Sequence, residues 1–106
     1  MSPGGVSLEQ VSRWATDLPG VRETRRRGLL RWEVSHRLVA RQLDADSIVI
    51  RSGFREREDL LERFPGSFSV PPRFDAHMMV VAELPAAAAG AVRAALRAAW
   101  DLQRTA

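Results

Sequence analysis

Cysteine is absent from this chain of 106 residues, which excludes disulfide bonds and zinc sites built from thiolates. No apolar run reaches the roughly 18 residues that a membrane-spanning helix needs. A basic segment followed by an apolar one, the mark of a secretory signal, is also missing from the N-terminus. We therefore expect a cytoplasmic protein with no membrane contact, no metal and no cofactor, and the length predicts a single domain.

Lysine is absent as well, so all 16 basic residues are arginine, and 13 acidic residues leave a formal net charge of +3. Arginine suits phosphate and carboxylate because its planar fork of donors binds them bidentately. A GC-rich coding sequence would also favour arginine over lysine and raise the alanine content. The arginine count alone does not separate these two causes, so the positions of the arginines carry the argument.

The first segment predicts a helix from about Leu8 to Asp17. Ser7 and Gln10 have the spacing of a capping box, and apolar residues then recur at helical intervals. Residues 1–6 contain glycine and proline and offer little to bury, so they predict a flexible tail. The domain itself is expected to span residues 7–104.

Alternation of apolar and polar residues next predicts a meander of three strands over residues 30–34, 37–43 and 48–51. Ser35 and His36 form the first tight turn of this meander, and a polar loop joins its second and third strands. A meander of this kind is antiparallel, because each strand returns directly beside the one before it.

Two further helices enclose a later strand. Residues 54–64 show helical spacing, a strand follows over 78–84, and Pro85 suits the first turn of a last helix. The chain therefore predicts an α+β fold: a mainly antiparallel sheet, made of the three-strand meander plus the later strand, covered by three helices.

If the connecting loops fix the register of the meander, one of its faces is apolar and forms the core. The predicted core residues are Leu30, Trp32, Val34, Val39, Leu43, Ile48 and Ile50. The other face then carries Arg31, Ala40 and Arg51 in one row across three strands, which could grip phosphates. Arg41 does not fit this register, so either its stem reaches an edge or the first turn is longer than assumed.

Pro71 and Pro72 form a rigid elbow before the later strand, because each proline fixes its own φ and extends the residue before it. Arg73 and His77 lie in the polar connection that follows. This pattern is typical of an ordinary strand entry. It also suits a small-ligand or protein-binding cleft lined by Trp32, Arg73 and His77, in which Arg73 would pair with a carboxylate or phosphate.

Arg25, Arg26 and Arg27 form a basic cluster beside a single acid, Glu23. Charge runs usually face water, so one interpretation is a solvated loop over residues 21–28. The other interpretation is a phosphate-binding cluster, and it depends on whether these arginines converge with others on one surface.

Several segments occur together in a fixed order that resembles the MmcQ/YjbR family of small bacterial proteins, from Leu8 to about Leu102. The residues that carry the resemblance are Leu18-Pro19-Gly20-Val21, Leu30-Arg31-Trp32-Glu33-Val34, Leu38-Val39-Ala40-Arg41, Glu56-Arg57, Phe68-Ser69-Val70-Pro71-Pro72-Arg73-Phe74 and Ala99-Trp100. The resemblance implies an α+β fold likened to a double-wing arrangement and a predicted DNA-binding function.

The leading hypothesis is therefore a DNA-binding module that contacts phosphates. Its candidate contacts are Arg25, Arg26, Arg27, Arg31, Arg37, Arg51 and Arg73. The cleft beside the elbow is the alternative. We expect no enzymatic activity, because the chain offers no cysteine, two histidines far apart and no carboxylate cluster outside a solvated helix.

Overall fold

The computed structural model describes residues 5–105, which form three α-helices and one antiparallel sheet of six strands. The helices are α1 (Leu8–Asp17), α2 (Phe54–Arg63) and α3 (Ala89–Arg104). The strands are β1 (Arg22–Arg26), β2 (Leu29–Val34), β3 (Arg37–Gln42), β4 (Ser47–Arg51), β5 (Phe68–Ser69) and β6 (Met79–Glu83), and they lie in the order β1-β2-β3-β4-β6-β5. The predicted α+β fold with three helices is confirmed.

Helix α1 has the predicted bounds and the predicted cap. The Gln10 backbone N–H donates to Ser7 Oγ at 3.0 Å, and the Ser7 N–H donates to Gln10 Oε1 at 2.9 Å. This reciprocal pair satisfies two backbone donors at the helix start. None of the helices formed by residues 5–105 is long and apolar enough to cross a membrane.

The interpretation of residues 21–28 as a loop was wrong, because Arg22–Arg26 pair with β2 as strand β1. Arg27 and Gly28 connect the two strands with φ of 54° and 80°, and a type I′ hairpin turn requires both values to be positive. Every residue of β1 is exposed, so the strand lacks the apolar alternation that a sequence pattern detects.

Strands β2 and β3 pair through a β-bulge that alters the predicted register. Trp32 lies opposite Ala40 and Glu33 lies opposite Leu38, which leaves Val39 as an extra residue on β3. Val39 and Ala40 are both fully buried and both belong to the core. Downstream of the bulge, the side chains of β3 therefore point to the opposite face from the one predicted.

The predicted row of Arg31, Ala40 and Arg51 was wrong for this reason. Ala40 packs into the core opposite Ile50, while Arg41 lies directly opposite Arg31 on the other face. The misfit of Arg41 in a regular strand is resolved by the bulge, with no need for a snorkelling side chain or a longer turn.

All three helices pack on one face of the sheet, where their apolar side chains join the core cluster. We call the other side the open face. A small apolar cluster on it contains Val49, Met79 and Val81, and the residues packed against that cluster are Leu43 and Phe74. Leu43 was predicted for the core face, and the shifted register accounts for its position. Phe74 belongs to a short 3₁₀ turn, Pro72–Phe74, that follows the elbow.

The predicted tail covers residues 1–6, of which residues 1–4 lie outside the described part of the chain. At Val6 the structure differs from that prediction. Its side chain is buried in the core cluster, and its N–H donates to the Leu84 carbonyl oxygen at 2.8 Å. Val6 therefore packs with the domain.

Candidate functional site

The open face contains a groove of about 370 Å³ at the end where the β1–β2 hairpin meets β3. Its lining residues are Arg26, Arg27, Leu29, Leu30, Arg31, Arg41 and Gln42. Four of these seven are arginines and none is acidic, so guanidinium groups dominate the electrostatics of the concavity. We call this feature the arginine groove.

The arginine groove forms where β2 and β3 stop pairing along their backbones. Beyond the pair formed by Arg31 and Arg41, the Leu30 N–H donates to the side-chain oxygen of Gln42 at 3.0 Å. The Gln42 side-chain nitrogen donates to the Asp44 carbonyl oxygen at 3.2 Å. The side-chain amide of Gln42 thus takes the place of a backbone ladder partner for β2, and its two hydrogen bonds hold it in the wall of the groove.

The pair of Arg31 and Arg41 is the electrostatic centre of the site. Like charges directly opposite each other on neighbouring strands destabilise a sheet. Glu33 compensates Arg31 through a salt bridge of 3.1 Å, with the two side chains 22% and 28% exposed. Within residues 5–105 no salt bridge involves Arg41. An anion that binds Arg41 would therefore compensate the member of this pair that lacks a salt bridge there.

Two guanidinium nitrogens on the open face also lack hydrogen-bond acceptors. The Nε atoms of Arg31 and Arg51 are buried and make no hydrogen bond within residues 5–105. An unsatisfied buried donor costs about 1–3 kcal/mol. Both atoms lie on the face that carries the arginine groove, since Arg51 pairs with Met79 of the open-face cluster.

Arg27 reaches the groove from a strained position. Its φ of 54° lies in the left-handed region, which non-glycine residues avoid at a cost of about 1–2 kcal/mol. Strain of this kind persists where the surrounding structure or a function requires it. The neighbouring Arg25 is held differently, because its guanidinium donates to the Gly28 carbonyl oxygen at 3.2 Å.

The structure brings together only part of the predicted set. Arg26, Arg27 and Arg31 line the arginine groove, and Arg51 shares its face. Arg25 and Arg37 lie on the helix side of the sheet, because they pair with core-facing Leu30 and Val34. The guanidinium of Arg73 stacks over the Phe74 ring at 4.8 Å, beside the open face.

Sequence reasoning missed Arg41 as a groove residue. The sequence did contain a warning of this, because the regular strand predicted there would place the charged side chain of Arg41 on the apolar face. An extra residue in β3 removes the conflict, and a β-bulge is the common way for a sheet to accommodate one. The sequence alone did not locate that residue.

The alternative cleft is not assembled around Trp32. Its side chain is fully buried, and its indole N–H donates to a carboxylate oxygen of Glu23 at 2.7 Å. Ser12 of α1 donates to the same oxygen, so Glu23 links helix α1 to the sheet. Trp32 therefore cannot line a cleft with Arg73 and His77.

The connection after the elbow is fastened to helix α2. The guanidinium of Arg57 donates to the carbonyl oxygens of His77 at 2.9 Å, Asp75 at 3.1 Å and Phe74 at 3.5 Å. These hydrogen bonds satisfy backbone acceptors in a segment with few ladder partners. The segment that suggested a ligand cleft is thus bound by the protein's own arginine.

Asp44 orders the loop beside the arginine groove. Hydrogen bonds from the Asp46 N–H and the Ser47 hydroxyl lower the pKa of the Asp44 carboxyl, with a smaller contribution from the charge of Arg73. The carboxylate is therefore held ionised and turned into its own loop. It accordingly does not enter the groove lining.

The two histidines lie in separate exposed parts of the molecule. His36 is exposed in the β2–β3 turn, with φ of 64°, and lines a second open groove with Arg22, Thr24, Glu33 and Ser35. His77 is exposed at the elbow connection. Within the described residues no group of three or more histidine, aspartate or glutamate side chains is arranged to hold a metal ion.

Comparisons with known proteins add no family or relative. A scan against protein-family models, a search of curated proteins and a search of solved structures each returned no match.

Proposed function

We propose that this protein binds DNA through phosphate contacts on the open face of its sheet, with the arginine groove as the central contact. The observation that carries the proposal is the placement of Arg31 directly opposite Arg41 in a concavity lined by four arginines and no acid. A phosphate oxygen pair suits the planar donor fork of arginine, and it would neutralise Arg41, which has no salt bridge within residues 5–105 to match that of Arg31 with Glu33.

Binding of this kind should be largely independent of base sequence. Phosphate contacts fix position and supply affinity, whereas base edges or stacking supply sequence information. The one large apolar side chain exposed among residues 5–105 is Phe54, which lies on helix α2 and not on the open face. The open face therefore offers guanidinium groups and no free aromatic platform for stacked bases.

The modest net charge of +3 is compatible with this function because the charge is unevenly distributed. Four arginines line one groove, while many acids lie elsewhere, including four on helix α2: Glu56, Glu58, Asp59 and Glu62. Local potential, rather than total charge, attracts a polyanion to a cleft. The resemblance to the MmcQ/YjbR family also supports a DNA-binding role.

The test is fluorescence anisotropy with a labelled random duplex, titrated from low to physiological salt. The critical variant is the double substitution Arg31→Gln with Arg41→Gln. Its matched control is Arg93→Gln with Arg97→Gln, which removes the same charge from exposed positions on helix α3. Four phosphate contacts predict a slope of log affinity against log salt of about −3.6, falling to about −1.8 in the critical variant.

The control variant should bind with nearly the slope of the wild-type protein. Equal weakening by both double variants would contradict the proposal, because it would reflect net charge and not this groove. Failure of the wild-type protein to bind any duplex at low salt would also overturn it.

A further inference from the structure

The two edges of the sheet are protected very differently. Strand β5 forms one edge with only two residues, and Pro71 and Pro72 follow it closely. Short length and nearby proline both discourage pairing with another strand. Strand β1 forms the other edge with five residues, all exposed and none of them proline. Within residues 5–105, β2 is its sole strand partner.

The turn geometry identifies which backbone groups of β1 face outward. Arg27 and Gly28 form a two-residue turn, so Arg26 and Leu29 exchange hydrogen bonds across it. Hydrogen-bonded and non-hydrogen-bonded pairs alternate along an antiparallel ladder. The N–H and C=O groups of Glu23 and Arg25 therefore point away from β2 toward solvent.

The charge at this edge is strongly positive. Strand β1 has the sequence Arg-Glu-Thr-Arg-Arg, and Arg27 follows it directly. Its single acid, Glu23, is turned toward Trp32 and helix α1 and does not neutralise the edge. A second, antiparallel copy of β1 centred on Thr24 would set Arg22 beside Arg26 at both ends of the open face, which disfavours self-pairing. An acidic strand would meet complementary charges instead.

We propose that β1 is a docking edge for an extended acidic peptide segment of a partner protein, which adds to the sheet as a seventh strand. The outward backbone groups of Glu23 and Arg25 form the new ladder hydrogen bonds. Alternate side chains of the peptide lie on the open face, where acidic residues pair with Arg22 and Arg26. Strand addition of this kind draws affinity from the backbone and specificity from alternate side chains.

This edge uses backbone groups that the phosphate contacts do not need. The arginine groove could fail to bind DNA while the edge still binds a peptide, and the reverse also holds. The two proposals share the side chain of Arg26, so the outward amides of Glu23 and Arg25 are the groups whose behaviour separates them.

The test uses a blocked peptide of alternating glutamate and valine and follows backbone amide hydrogen exchange by NMR. In the free protein the amides of Glu23 and Arg25 should exchange rapidly. Saturating peptide should slow both by about tenfold or more, because they become ladder donors. A peptide of the same sequence that is N-methylated at every residue has no backbone donor on either edge and should give no such protection.

Two substitutions at one position separate backbone pairing from charge attraction. Arg25→Ala removes the side-chain charge and keeps the outward N–H, whereas Arg25→Pro removes both and leaves the inward ladder with β2 intact. We expect Arg25→Pro to bind the peptide about tenfold more weakly than Arg25→Ala. Thermal unfolding checks that both variants fold. If Arg25→Pro does not fold, the protection of the Glu23 and Arg25 amides in the wild-type protein is the deciding measurement.

Equal affinities for the two variants, or unchanged exchange at Glu23 and Arg25 with bound peptide, would overturn the proposal. Protection of the same two amides by duplex DNA, with none from the acidic peptide, would overturn it as well and assign the edge to nucleic acid.

Discussion

Arg27 occupies a position where stability and binding make opposite demands. The first residue of a type I′ turn favours asparagine, and Arg27 supplies a groove side chain at the expense of its left-handed backbone. We predict that Arg27→Asn raises the free energy of unfolding by about 0.5–1 kcal/mol, measured by urea denaturation. The same change should reduce the salt slope of duplex binding by about 0.9, because one phosphate contact is lost.

His36 provides the matched control for this prediction. It has a φ of 64° in the β2–β3 turn, also left-handed, and it is not among the residues that line the arginine groove. His36→Gly should stabilise the protein by a similar amount while leaving the salt slope unchanged. If Arg27→Asn instead destabilised the protein, the strain argument would be wrong. If it left binding unchanged, Arg27 would not be a phosphate contact.

At the level of elements, Arg57 joins helix α2 to the segment after the elbow through hydrogen bonds. Replacing it by methionine keeps most of the stem and removes three hydrogen bonds to carbonyl oxygens. We predict that Arg57→Met lowers the free energy of unfolding by about 1–2 kcal/mol, since hydrogen bonds from charged donors are the stronger ones. Amide exchange at Phe74 and His77 should accelerate, because both belong to turns in that segment.

Arg55 is the control for this helix, because it is exposed and on the same element. Arg55→Met should change the free energy of unfolding by less than about 0.5 kcal/mol. Similar effects from both substitutions would argue against a specific role for the Arg57 hydrogen bonds and for a general effect of charge on α2.

Sequence reasoning predicted the elements that have a strong local signal. Helix α1 was identified with its bounds because a capping box and an apolar stripe coincide there. Strand β1 was missed because neither of its faces is buried, so its residues carry no pattern. The pairing of Arg31 with Arg41 was missed because it depends on one extra residue in β3, a tertiary fact that alternation along a strand does not reveal.

The whole molecule combines a thick side, where three helices cover the sheet, with a thin open face whose apolar cluster is packed against by Leu43 and Phe74. The arginine groove lies on the thin side. A ligand that binds the folded state but not the unfolded chain raises apparent stability by mass action. Anions that occupy the groove should therefore stabilise the entire fold, because a domain of this size unfolds cooperatively.

We predict that millimolar inorganic pyrophosphate raises the Tm of the wild-type protein by several degrees over chloride of equal ionic strength. The variant carrying Arg31→Gln and Arg41→Gln should show only the small general salt effect, measured by the same thermal scan. An equal rise in both proteins would assign the stabilisation to bulk solvent and not to the groove.

The β-bulge in β3 also determines where this chain can change its length. Val39 and Ala40 both point into the core, so deletion of either one would give a regular ladder and leave every other side chain on its present face. Deletion of Leu38 or Arg41 would instead turn the side chains of part of β3 to the opposite face of the sheet. In an alignment of related chains, a one-residue gap within β3 should therefore fall at position 39 or 40. Chains with that gap lack the bulge and should have a flatter sheet, because the bulge adds local twist.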